Sequence, residues 1–217
     1  PGASTVHFDE IAKEKIFNSI DKIRGMKSII RESYISLKNR IGRIPLLYDF
    51  YEQGESDPLV IIKEYKTYWQ FLEAVETGKD SCKLNDQEKL ILEYLSKTIL
   101  SGVRPSELCI LKEFLDKDTI STNDVRRELE YEYDYFITDQ EVEESVKVLQ
   151  GHFVSKDDEY QKYKFMNILR PDGERTMRSV EAYQRCLRNE EFNAQIRDII
   201  KVGLARYKDK YTKGKSE

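Results

Sequence analysis

Leu37-Lys38-Asn39-Arg40-Ile41-Gly42-Arg43-Ile44-Pro45-Leu46-Leu47-Tyr48-Asp49-Phe50, running on through Ser56-Asp57-Pro58 to Tyr68, Trp69 and Phe71, is the stretch around which the chain is organised. Its reading is a helix end, a stop at Gly42, a short helix started by Pro45, a second started at Asp57-Pro58, and an aromatic helix from Tyr68 to Val75. The result is a compact helical corner in which Trp69 and Phe71 lie at or near the core. No catalytic constellation lies within it.

Upstream, Asp9 caps an expected first helix to about Arg24, with Ile16, Ile20 and Ile23 on one face and Gly25 ending it. Met26, Ile30, Tyr34, Leu37 and Ile41 then follow steps of four and three, an apolar seam that requires a partner. The expectation is an antiparallel helical hairpin. Downstream, Asn85 with Glu88 forms a capping box for a helix through Leu100, whose expected buried stripe is Leu90, Ile91, Tyr94, Leu95 and Thr98. Gly102 closes that helix and Pro105 opens the next.

Ser121 with Asp124, and Thr138 with Glu141, start two further helices. The period then changes. Lys162 to Leu169 is strand-like, Pro171-Asp172-Gly173-Glu174 is a turn, and Arg175 to Val180 returns as a second strand. Three helices followed by a hairpin is the order of a winged helix-turn-helix, expected over about 105–180. Two closing helices follow, the second carrying Phe192, Ile196, Ile199, Ile200 and Leu204 on one face. The fold class is therefore mainly α, a multi-helix domain with one small β-hairpin, divided into subdomains over 1–104 and 105–217.

Composition agrees with a helical protein bearing charged outer faces: of 217 residues 39% are hydrophobic and 35% charged. A net charge of −4 gives no overall attraction for nucleic acid or acidic membranes, so such contacts must be local. No long apolar run suggests a membrane span, and the chain begins at Pro1, as an excised piece of a longer protein would. Cys82, Cys109 and Cys186 are odd in number and lack metal-ligand spacing, which fits a reduced, cytoplasmic setting.

Chemical motifs are weak. Gly214-Lys215-Ser216 ends like a phosphate-binding loop, but position 209 is aspartate where a glycine is needed. His7 and His152 have no metal-binding context, and no serine or cysteine sits in a nucleophile elbow. Charge is more informative. From Pro105 to Gln150 five basic residues face thirteen acidic ones, whereas Lys162 to Arg188 holds seven basic and three acidic. The third helix of a winged fold, with Asp139, Glu141, Glu143 and Glu144, is thus a poor match for DNA. Lys162, Lys164, Arg170, Arg175 and Arg178 are the candidate nucleic-acid-binding residues.

Taken together, Thr5-Val6-His7-Phe8-Asp9-Glu10-Ile11-Ala12, the Leu37 to Phe50 stretch with Gly42, Arg43, Pro45, Asp49 and Phe50, Gly102-Val103-Arg104-Pro105-Ser106-Glu107-Leu108, and Phe192 to Tyr207 resemble, in order, a region of large bacterial superfamily II DEAD/DEAH-type helicases. These are related to restriction-enzyme motors. Many carry a phospholipase-D-like nuclease domain before the motor. Walker A, D-E-A-D and arginine-finger motifs are absent here, so ATP and Mg belong to the implied parent motor, and no cofactor or catalytic residue is assigned to this chain. The resemblance implies a non-catalytic accessory module after the motor, with DNA and the parent's other domains as partners and no membrane. The alternative is a scaffold linking helicase, nuclease and C-terminal domains.

Overall fold

The computed structural model describes residues 24–54, 56–76, 83–102, 104–150, 152–153 and 176–213. Within them the chain is mainly helical with one two-stranded sheet. Helix α1 covers residues 24–41, followed by α2 (Leu47–Gln53), α3 (Pro58–Tyr65), α4 (Tyr68–Val75), α5 (Asp86–Ser101), α6 (Pro105–Glu113), β1 (Thr119–Ser121), α7 (Thr122–Tyr133), α8 (Asp139–Leu149), β2 (Thr176–Arg178), α9 (Glu181–Cys186) and α10 (Glu190–Lys213). None of these helices is long and apolar enough to cross a membrane.

The seam of α1 is buried as its spacing requires, with Ile30, Tyr34 and Leu37 inside the core. Its partner is the corner. The Tyr34 ring stacks on Phe50 at 6.5 Å and meets Phe71 edge-on at 5.3 Å. Phe71 also contacts Tyr65 at 5.1 Å and Tyr68 at 5.6 Å, which makes it the centre of an aromatic cluster in favourable tilted and edge geometries. Trp69 is half-buried at the margin, its ring beneath the Lys89 ammonium at 4.9 Å. Gly25, expected to end a helix, is instead helical and lies next to the first described residue of α1, with nothing within 4 Å of a Cβ placed there. The preceding helix, Asp9 to Arg24, falls outside the described residues but for its last position.

Caps set most boundaries. Asn85 and Glu88, Ser121 and Asp124, and Thr138 and Glu141 all form reciprocal boxes, and Asp57 accepts the Leu59 N–H before Pro58 at the first position of α3. Two expectations change. Helix α2 begins at Leu47 rather than Pro45, and the buried stripe of α5 is Ile91, Leu92, Leu95 and Ile99, leaving Leu90 61% exposed. Both Leu90 and Leu92 fit a helical period. The choice is made by where α10 and α3 pack against α5, which local spacing cannot encode.

The second half has the order α6, β1, α7, α8, β2. Strands β1 and β2 pair antiparallel, Ile120 opposite Met177, both buried, while Thr119 opposite Arg178 faces outward. This is the strand placement of a winged helix-turn-helix, with β1 joining the sheet from between the first two helices. The 162–169 strand expected to pair with Arg175–Val180 lies outside the described residues. Ser106 and Ser145 share a buried 2.6 Å hydroxyl contact between α6 and α8. The core continues across residue 104: α10 packs on α2 and α5 as well as on α6, in a single hydrophobic cluster.

Phe71→Ala should cost about 3–5 kcal/mol, the range for a fully buried phenylalanine, and Trp69→Ala clearly less. Denaturant midpoints at unchanged m-value measure both. A larger cost at Trp69 than at Phe71 would contradict this packing.

Candidate functional site

Three features could carry function: the two-stranded sheet with the helices around it, a cleft where the two halves meet, and a buried carboxylate beneath α2. Of the five basic residues singled out by sequence, Arg178 is exposed on β2, while Lys162, Lys164, Arg170 and Arg175 lie outside the described residues. The third helix of the segment, α8, turns Asp139, Glu141 and Glu144 to solvent alongside Lys147. Its acids draw arginines from neighbouring elements: Arg126 reaches Asp139 at 3.2 Å and Arg104 reaches Glu144 at 3.8 Å. Exposed pairs of this kind contribute little stability, but they keep the face from presenting net positive charge.

The cleft has a volume of about 700 Å³ and opens between α2, α5, α6 and α10. Its floor includes Ile99, Leu108 and Gly203. At Gly203 α10 lies close against α6, since a Cβ there would stand 2.6 Å from the Leu108 side chain. Tyr51, Tyr135 and Tyr207 line the walls, the last two edge-to-face at 5.7 Å. At the rim are Arg104, Arg206 and Lys210 against Asp209. Arg206 pairs with the α3 cap Asp57 at 2.6 Å, and the Tyr51 hydroxyl donates to Asp209. That hydrogen bond and burial push the Tyr51 hydroxyl up to about 12, burial being the larger cause.

The buried carboxylate belongs to Asp198, in the middle of α10. Helix α2 starts after Leu46, which has no side-chain acceptor for the free N–H groups of a first turn. Asp49, at the third position, supplies half of a capping box by accepting from the Leu46 N–H at 2.6 Å, and it is gripped by Arg43 through two bonds of 2.8 and 2.9 Å. Asp198, on a distant helix, takes the next two donors, accepting from Leu47 N–H at 2.5 Å and Tyr48 N–H at 2.8 Å. Tyr68 donates its buried hydroxyl to the Pro45 carbonyl beside them. Burial pushes the Asp198 carboxyl up to about 7, and neighbouring Asp49 adds to the rise; the two backbone N–H groups and Lys201 oppose it.

Residues 30–211 match the family described as Domain of unknown function (DUF8090). The chain belongs to that family. The match takes in α2, all but the last two residues of α10, and every residue of the cleft. No curated protein matches the chain. Sequence reasoning missed Asp198 and the cleft, although one signal was present: a charged residue stands among Ile196, Ile199 and Ile200 on a helix whose centre is buried nearly all round. The Arg43, Pro45 and Asp49 pattern, by contrast, was visible, and its role here is to build the α2 turn.

Asp198 makes stability depend on pH. The folded carboxyl holds its proton up to about pH 7, whereas the unfolded one releases it near the ordinary 3.8, so the folded chain binds more protons between those values. The stability from this group is full below about pH 4, falls as pH rises to about 7, and is constant above. Asp198→Asn should remove that falling limb from the variant's own profile, so that the wild-type unfolding free energy minus the variant's falls as pH rises from about 4 to about 7. A difference independent of pH from about 4 to about 8 would show that Asp198 does not titrate in this window.

Proposed function

We propose that this chain is a non-catalytic accessory domain of an ATP-dependent DNA helicase, touching nucleic acid through local basic surface while the motor supplies ATP and Mg chemistry. The family resemblance supports the parentage. One observation about charge supports the contact: the exposed face of α8 is acidic, whereas the second half of α10 carries Arg206, Lys208 and Lys210, with Arg178 exposed on β2. A duplex carries a phosphate charge about every 1.7 Å, so α8 would be repelled from the groove a recognition helix normally enters. Binding on this reading is independent of sequence, because phosphate contacts position a protein without reading bases.

A second reading has its own support. The acidic α8 face and a long helix that joins both halves suit a spacer between motor, nuclease and C-terminal domains, with α8 meeting a basic partner surface. The two separate in one experiment, a salt titration of the whole chain with single-stranded, duplex and forked DNA. The accessory reading expects weak, steeply salt-dependent binding, and removing Arg170, Arg175 and Arg178 together should lower the slope of log K against log salt by about one per residue. Absence of binding to all three DNAs at roughly 50 mM salt, where the electrostatic contribution is strong, would favour the scaffold.

A further inference from the structure

The cleft between α2, α6 and α10 combines features that neither packing nor solubility requires. Its volume of about 700 Å³ falls in the range of about 300–1,000 Å³ for ligand sites. Its walls carry three tyrosines that are half-buried, so their rings remain partly open. Leu100, 42% exposed, extends the apolar wall toward the mouth. Three cations stand at the rim in a chain whose net charge is −4: Lys210, Arg104 with Glu144 at 3.8 Å, and Arg206 with Asp57 at 2.6 Å, with Asp209 beside them. The side chain of Arg104 is 60% exposed and only loosely held by Glu144 at 3.8 Å, and Lys210 is exposed near the end of α10.

We infer that this cleft holds a segment of single-stranded nucleic acid, with bases against Tyr51, Tyr135 and Tyr207 and phosphates toward Arg104, Arg206 and Lys210. Aromatic rings beside a positive rim are the means by which proteins take unpaired strands without regard to sequence, since every base offers a π-face. A duplex turns its bases inward and cannot present them to the tyrosines. The apolar floor and aromatic walls also disfavour a fully hydrated anion, which would keep to the rim. The inference rests on the nucleic-acid reading above and adds the strand form and the residues that meet it.

The test uses the whole chain, a fluorescein-labelled dT oligomer of about 12 nucleotides, the matching duplex and free dTMP, at roughly 50 mM salt. Tyr135→Ala should weaken oligomer binding about tenfold, as loss of one stacked base does, and Tyr135→Phe should restore it. Arg104→Glu with Lys210→Glu, both at exposed positions, should weaken the oligomer at least as much with no change in melting temperature, and leave duplex binding within about twofold. Oligomer binding unaffected by the charge reversal would overturn the cleft assignment while leaving the nucleic-acid reading intact. Binding of neither DNA form by the wild type would remove that reading and this inference together. If dTMP binds as tightly as the oligomer, the cleft is a free-nucleotide site and the strand assignment is wrong.

Discussion

The carboxylate of Asp198 at the first turn of α2 is the contact on which the arrangement of this domain depends. A helix beginning after leucine leaves its first N–H groups without a local acceptor, and an unmet buried donor costs about 1–3 kcal/mol. Here the acceptor comes from the middle of the last helix, 150 residues away in sequence from Tyr48. Burying a carboxylate is itself unfavourable, which is why its proton is held so tightly. The hydrogen bonds between these groups offset both costs, and they form only when α2 and α10 are docked in one register. Arg43 and Asp49 then hold the turn against that carboxylate from the other side.

Helix α10 extends the same logic along its length. Near its start, Glu191 accepts the Lys83 N–H at 2.8 Å, and Asn189 just before it donates to Glu88 at 2.8 Å, fixing the beginning of α5. Arg197 grips Asp116 at 2.5 Å beyond α6, lowering the Asp116 pKa chiefly through that hydrogen bond. Arg206 reaches the cap of α3 at 2.6 Å. Each contact joins α10 to the end of another helix, so α10 sets where the other helices begin or stop relative to one another. The cleft follows from this: it is the space left where α2, α5 and α6 lean on one helix, kept close by Gly203.

Caps and seams were legible in sequence because they are local. Asn85 with Glu88, Ser121 with Asp124, and Thr138 with Glu141 announce their helices within four residues, and the spacing of Ile30, Tyr34 and Leu37 states which side of α1 is buried. Strand β1 was not legible, since Thr119-Ile120-Ser121 is too short to show alternation and gains its partner, β2, from more than fifty residues downstream. Leu90 and Leu92 could not be told apart by period alone. Asp198 and the cleft were hidden for a related reason: both are products of helices meeting from opposite ends of the chain. Surface charge, in contrast, needs no docking to be read, and the acidic character of α8 stands as the sequence implied.

The central claim is that α10, through Asp198, makes residues on both sides of position 104 one cooperative unit. Native-state hydrogen exchange measures this directly. The slowest amides of α5 (Ile91, Leu92 and Leu95), of α7 and α8 (Leu129 and Val146) and of α10 (Ile196, Ile199 and Ile200) should exchange through one global opening, with a common free energy and a common denaturant dependence. Two sets of amides, divided near residue 104 and opening with different free energies, would contradict it.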